Sequence, residues 1–208
     1  MLLNPSPVAT ERLLRTLAVV FLSLFIVRAA LAFQATHKAV LLLLIVAESL
    51  TVVLAVIARA PQVRSMRPLD IGITLLATYY FLFFVSFGNG GDALLPSPIP
   101  ELVQGCGIAL QIVAKMTLGR SFGLLPANRG VVKGGPYRVV RHPIYLSYLV
   151  GHVGFVLGFF SWYNALILLP LYALQVARMI AEERVLTADP AYADYAREVK
   201  WRFVPGLF

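Results

Sequence analysis

The stretch GGPYRVVRHPIYLSYLVGHVGF, residues 134–155, sets three basic side chains (Arg138, Arg141 and His142) directly ahead of an apolar run. Tyr137 and Tyr145 flank them, and Pro143 stands where a helix should begin. Proline is favoured at the first helical position, where its missing N–H would have had no partner in any case. Arg141 and His142 are therefore expected at the mouth of a helix running to about residue 160. A helix so apolar, with its charge gathered at one end, reads as a membrane span, and the rest of the chain agrees. Of 208 residues, 59% are hydrophobic and 13% charged, and the mean hydropathy is +0.79. Soluble domains are about 45–50% apolar and about 25% charged, so the solvent this sequence suits is the bilayer.

Working outward, apolar segments at about 13–33, 39–58, 69–87, 100–118, 143–160 and 164–181 predict about six spans. A hydrocarbon core of about 30 Å needs roughly 20 residues per helix. The expected fold class is all-α, a polytopic integral membrane protein with no room for a separate soluble domain. The connections alternate in charge. Residues 59–68 carry Arg59, Arg64 and Arg67, and 119–142 carry Arg120, Arg129, Lys133, Arg138 and Arg141, whereas 88–99 carry only Asp92. Basic loops stay inside, which places both termini in the cytoplasm, with Lys38 the exception and the plasma (inner) membrane the expected location. Arg12, Arg15 and the sequence Ala30-Leu31-Ala32 imitate a cleavable leader, but Arg28 directly after the apolar run disfavours processing, and the first helix is expected to be retained.

The net charge of +8 is scattered through loops rather than laid along one face, which argues against nucleic acid as a partner. The single cysteine, Cys106, leaves no disulfide or cysteine-rich metal site and is expected to pack within its helix. The last two apolar segments, joined by Ser161-Trp162-Tyr163-Asn164, read as a helical hairpin. Gly151, Gly154 and Gly158 along its first arm permit close approach of a neighbouring helix. Asp189-Pro190 is an N-cap followed by a first-turn proline, opening a short tail helix to about Lys200 with Tyr192, Tyr195 and Val199 on one face. Trp201 between Lys200 and Arg202 reads as an interfacial anchor.

Ionisable groups in spans are costly and face the bundle interior. Arg28 and Glu48 are expected to pair. Gln104, Gln111 and Lys115 line one face of the fourth segment, Tyr145, Tyr148 and His152 one face of the fifth, and Tyr172, Gln175, Arg178 and Glu182 one face of the sixth, with Glu183 adjacent. Any one stripe reads as helix–helix contact more readily than as a site; three at the depth of the basic loop outline a polar pocket. Arginine at a helix N-terminus favours a carboxylate or phosphate, and Glu182 and Glu183 offer the opposite charge, so the two together suit a zwitterion. The structural alternative is that Arg141 pairs with Glu182 or Glu183 simply to close the hairpin.

Gly135-Pro136-Tyr137, Arg141-His142-Pro143 with Tyr145, Glu182-Glu183-Arg184-x-Leu186, and then Tyr192, Tyr195, Arg202 and Pro205 resemble the isoprenylcysteine carboxyl methyltransferase family. The related membrane phospholipid methyltransferases share this ending, and the resemblance covers about residues 119–208. It implies an enzyme that moves a methyl group from S-adenosylmethionine to a lipophilic small molecule or lipid, best expected at a carboxylate such as that of a prenylcysteine. It further implies that Gly135, Pro136, Tyr137, Arg141, His142, Tyr145, Glu182 and Glu183 hold the cofactor. Arg184, Arg197 or Arg202 would orient the acceptor as the catalytic set, and no metal is implied. On this division residues 1–118 form the scaffold or acceptor entry and 119–208 the catalytic part. No GxGxxG is present, which disfavours a soluble-type methyltransferase fold. The alternatives are an NADPH-dependent reductase of the sterol reductase type, which shares a similar ending, and a non-enzymatic transporter or scaffold.

Overall fold

A computed structural model describes residues 7–79 and 91–208. Seven helices account for most of them: α1 (Pro7–Thr36), α2 (Ala39–Ile57), α3 (Pro68–Tyr79), α4 (Ile99–Leu118), α5 (Pro143–Gly158), α6 (Trp162–Leu186) and α7 (Pro190–Glu198). α1, α2, α4 and α6 are long and apolar enough to cross a membrane, and α5 is a shorter apolar helix. The expected third span is described only as far as Tyr79; the rest of 69–87 lies outside the described residues. The two strands, β1 (Val63–Arg64) and β2 (Ala127–Asn128), are two residues each, so the all-α membrane class stands.

Those short strands fix the topology. They pair antiparallel, Val63 with Asn128 and Arg64 with Ala127, so the two arginine-rich connections meet at one end of the bundle. Further bonds bind them there, from Arg59 N to Arg120 O (2.8 Å) and from Arg129 Nε to Arg59 O (3.1 Å). Asn128 Nδ2 also donates to Asp189 Oδ2 at 2.7 Å, which brings the tail helix to the same end. At the opposite end Asp92 bridges Phe160, and Lys38 sits 4.2 Å from the centre of the Phe159 ring. The alternation of charge read from the sequence is thus an alternation of ends.

The closest packing is between α4 and α5, which run antiparallel with glycines at the contact. A Cβ on Gly107 would lie 2.4 Å from Gly151 N, and one on Gly154 would lie 2.4 Å from Gln104 N. Two helices meeting without side chains between them approach more closely than any other pair can. α3 lies antiparallel along α6, linked by Arg178 Nη1 to Thr78 Oγ1 (3.2 Å) and Arg184 Nη1 to Asp70 Oδ1 (3.4 Å). α5 and α6 are consecutive arms of a hairpin, turned at Ser161, whose hydroxyl accepts from Asn164 N. Gly154 and Gly158 of α5 face α4, and α5 thus packs on α4, while a cavity opens between it and α6 that residues of α1 to α4 help to wall.

Two expectations need correction. Glu48 does not pair with Arg28; its Oε1 takes Gln111 Nε2 at 2.9 Å and Lys115 Nζ at 3.5 Å, while Arg28 is exposed on α1. The reason is geometric: Glu48 faces α4, and Arg28 points away from the bundle. Cys106 is also exposed rather than packed, since Gly107 takes the inward position beside it.

Candidate functional site

The cavity between the hairpin arms has a volume of about 370 Å³, within the roughly 300–1,000 Å³ usual for small-molecule sites. It extends along α6 from Asn164 to Glu182, some 27 Å of helix at about 1.5 Å per residue. Its far end is walled by Phe155, Ile167, Leu168 and Leu171, and its basic end by Tyr137, Arg141, His142, Tyr145, Arg178 and Glu182. All three polar stripes reach it through Gln104 and Gln111, through Tyr145, Tyr148 and His152, and through Gln175, Arg178 and Glu182. Chemically the space is two-faced, charged at one end and hydrocarbon-like at the other.

The charged end is organised by two neighbouring glutamates on the last turns of α6. Tyr145 donates to Glu182 Oε1 at 2.7 Å, and Arg178 Nε lies 3.3 Å from the same oxygen. Glu182 Oε2 sits 3.8 Å from His142 Nδ1, beyond hydrogen-bond reach. Glu183 gathers a second group: Arg141 Nε at 3.2 Å and His142 Nε2 at 3.3 Å on Oε1, and Arg202 Nε at 2.8 Å on Oε2. His142 is thus bracketed by both carboxylates. Successive helical positions point about 100° apart, which is why Glu182 faces the cavity while Glu183 faces the tail.

The tail is fastened across this cluster. Arg141 N donates to Trp201 O (2.9 Å) and His142 N to Arg202 O (2.7 Å). The two amides immediately before α5 are therefore occupied, and an anion in the cavity would look to the Arg141 guanidinium rather than to them. α7 begins as expected, with Asp189 as N-cap accepting from Ala191 N and Pro190 behind it. It packs Tyr192 and Tyr195 against Tyr137, and Tyr195 donates to Tyr137 O at 2.7 Å. Burial raises the pKa of all three phenols, with the Glu182 charge adding to the effect at Tyr137 and the Glu183 charge at Tyr192. They stay protonated, as hydrogen-bond donors.

Of the site residues read from the sequence, Tyr137, Arg141, His142, Tyr145 and Glu182 line the cavity together, and Glu183 and Arg202 stand directly behind them. Gly135, at φ +52°, and Pro136 form the 3-10 turn Gly135–Arg138 that presents Tyr137. Arg184 turns away toward Asp70, and Arg197 is exposed and pairs with Asp194. The sequence-derived set omitted Arg178, which is 8% exposed and donates to Leu124 O at 2.7 Å. Its place in the α6 stripe was the signal that could have added it.

Residues 107–192 match the model of the phospholipid methyltransferase family, which bears out the resemblance carried by the C-terminal motifs. The cobalt-zinc-cadmium resistance protein CzcN of Cupriavidus metallidurans is 29% identical over 149 residues, an alignment covering 66% of this chain and 64% of that protein. The chain therefore spans a little under two thirds of that relative's length.

Proposed function

We propose, from the match of residues 107–192 to the phospholipid methyltransferase family model, an integral membrane enzyme that transfers a methyl group from S-adenosylmethionine to a lipophilic acceptor. The observation that carries this reading is the two-faced cavity: a charged cofactor and a greasy acceptor need one space with both characters. The cofactor is a zwitterion, and the residues present suit it. Arg141 offers a fork for a carboxylate, Glu182 Oε2 accepts no hydrogen bond among the described residues and could take an ammonium, and Tyr137, Tyr192 and Tyr195 give aromatic surface for an adenine ring. When bound, it supplies an electrophilic methyl on a sulfonium.

The protein's own contribution is positioning and exclusion of water. Tyr145 and Arg178 fix Glu182, while Arg141, His142 and Arg202 fix Glu183, so the charged wall is set before anything binds. Transfer between two held partners gains most from alignment. We read the acceptor as a lipid-borne carboxylate, such as that of a prenylcysteine, because an ionised carboxylate is already a nucleophile and needs no base. An amine or thiol would have to lose a proton, and His142 between two glutamates is placed to take it. Arg202 acts by steadying Glu183; the positions of Arg184 and Arg197 give them no part at the cavity.

The relative's name speaks of cobalt, zinc and cadmium. Among the described residues no three or more His, Cys, Asp or Glu side chains are grouped to hold a metal ion, so metal binding by this chain is not part of the proposal. The test is S-adenosylmethionine binding to the detergent-purified protein, beside His142→Ala and Glu183→Ala. Micromolar affinity that falls at least about tenfold in both variants supports the reading. A folded wild type that ignores S-adenosylmethionine but binds NADPH would replace it with a reductase, and one that binds neither would leave a transporter or scaffold.

A further inference from the structure

The cavity is also lined by a carboxylate that the charged end does not use. Glu48 is the middle residue of α2, lines the cavity and lies outside the family-matched segment 107–192. Its Oε1 takes both Gln111 Nε2 (2.9 Å) and Lys115 Nζ (3.5 Å). Lys115 is fully buried and also donates to Thr51 Oγ1. Among the described residues Glu48 Oε2 receives no hydrogen bond, and the Glu48 side chain, 12% exposed, lines the cavity. Across the same space Gln175 is 6% exposed, with its Oε1 buried and without a partner. Two acceptor-bearing side chains on facing walls at membrane depth are thus left incomplete. A buried acceptor such as Gln175 Oε1 is rarely left without a partner, and a carboxylate oxygen at this depth has no bulk water to complete it.

We propose that Glu48 anchors a second polar group of the acceptor, distinct from the one that receives the methyl group, its Oε2 accepting a hydrogen bond from an uncharged O–H or N–H on the bound molecule. The absence of charge on that group follows from the local balance. The Glu48 carboxylate is already matched by the Lys115 ammonium, and Arg178 is matched by Glu182 one turn along α6. A cation brought to Glu48 would leave an excess positive charge at bilayer depth, which is costly. A neutral donor completes the carboxylate without disturbing the pair. Specificity for the acceptor then resides in α2, and the cofactor end in the family-matched helices. This inference rests on the reading that the cavity admits a lipophilic acceptor.

The test uses the whole chain in lipid nanodiscs and three tritiated probes with one chain length: 1-dodecanol, its methyl ether and protonated dodecylamine. Removing Glu48 alone would strand Lys115, so both charges are changed together. Glu48→Gln with Lys115→Met keeps a carbonyl acceptor, and Glu48→Leu with Lys115→Met removes it; comparing variants cancels partition of the probes into lipid. The alcohol is expected to bind about tenfold more tightly than the ether in the wild type, the scale of one hydrogen bond. That preference should persist in the Gln variant and vanish in the Leu variant. Equal wild-type binding of alcohol and ether, tighter binding of the amine, or a preference that survives Glu48→Leu would each overturn the proposal. If the Leu variant does not fold, the wild-type probe series alone decides. S-adenosylmethionine binding is titrated on the same samples: a wild type that does not bind it yet keeps the alcohol preference refutes the methyltransferase reading and leaves the Glu48 site standing.

Discussion

Replacing Gly107 by alanine tests the α4–α5 packing that sets one wall of the cavity. The added Cβ would lie 2.4 Å from Gly151 N, 2.8 Å from Gly151 Cα and 2.9 Å from Ser147 O. All three are backbone atoms and cannot rotate away, and the nearest is about 1 Å inside ordinary van der Waals contact. The helices must therefore separate by about that distance. Over-packing of this kind costs about 1–3 kcal/mol, set against up to about 1 kcal/mol that alanine gains over glycine in a helix. At Gly151, by contrast, a Cβ meets nothing within 4 Å, so only the gain remains. One kcal/mol moves Tm by about 2–4 °C in a chain of this size. Thermal unfolding in one detergent, followed by tryptophan fluorescence, should show Gly107→Ala lowered by several degrees and Gly151→Ala unchanged or raised. Because α5 carries Tyr145, Tyr148 and His152 into the cavity, Gly107→Ala should also weaken cofactor binding. Equal stability of the two variants, or greater loss at Gly151, would refute the account of α4–α5 packing.

Three further outcomes are expected. Glu183→Ala strands Arg141 and His142, which are both largely buried, and should cost about 3–5 kcal/mol; Arg202, whose side chain is 38% exposed, loses no more than about 1 kcal/mol when replaced by alanine, so chemical or thermal denaturation that ranks the two variants the other way contradicts the cluster. Asp189→Ala removes both the α7 cap and the tie to Asn128, and should cost about 1–2 kcal/mol and raise amide exchange in 190–198. Since Tyr137, Tyr192 and Tyr195 have pKa values raised above the usual 10.0, the folded state binds more protons than the unfolded one at alkaline pH. Stability is then complete below about pH 10 and declines as pH rises beyond it, and ultraviolet titration should find these phenols still protonated at pH 11.

The membrane class was legible because hydropathy and charge alternation act over whole segments, and the bilayer imposes them on every segment alike. The charged end was legible for a different reason: Arg141, His142, Glu182 and Glu183 are local motifs whose neighbours along the chain remain neighbours in space. What could not be read were choices among distant partners. Glu48 was paired with Arg28, whereas Lys115 takes it, and only the rotation of α1 and α4 about their axes decides between the two. The glycines of α5 announced a close neighbour without naming it, because GxxxG spacing specifies an approach distance rather than a partner. Arg178 was seen as one member of a stripe, but its bond to Leu124 O depends on a loop with no sequence signature.

The clasp of residues 201–202 over Arg141 and His142 has a consequence for how the site holds its shape. Two backbone bonds and the Arg202–Glu183 pair fasten the segment after α7 across the start of α5. The mouth of the cavity is therefore shared between two stretches about sixty residues apart, and either one displaced exposes polar groups on the other. A disturbance of the tail is felt at the mouth of the cavity as directly as one in the helices that wall it.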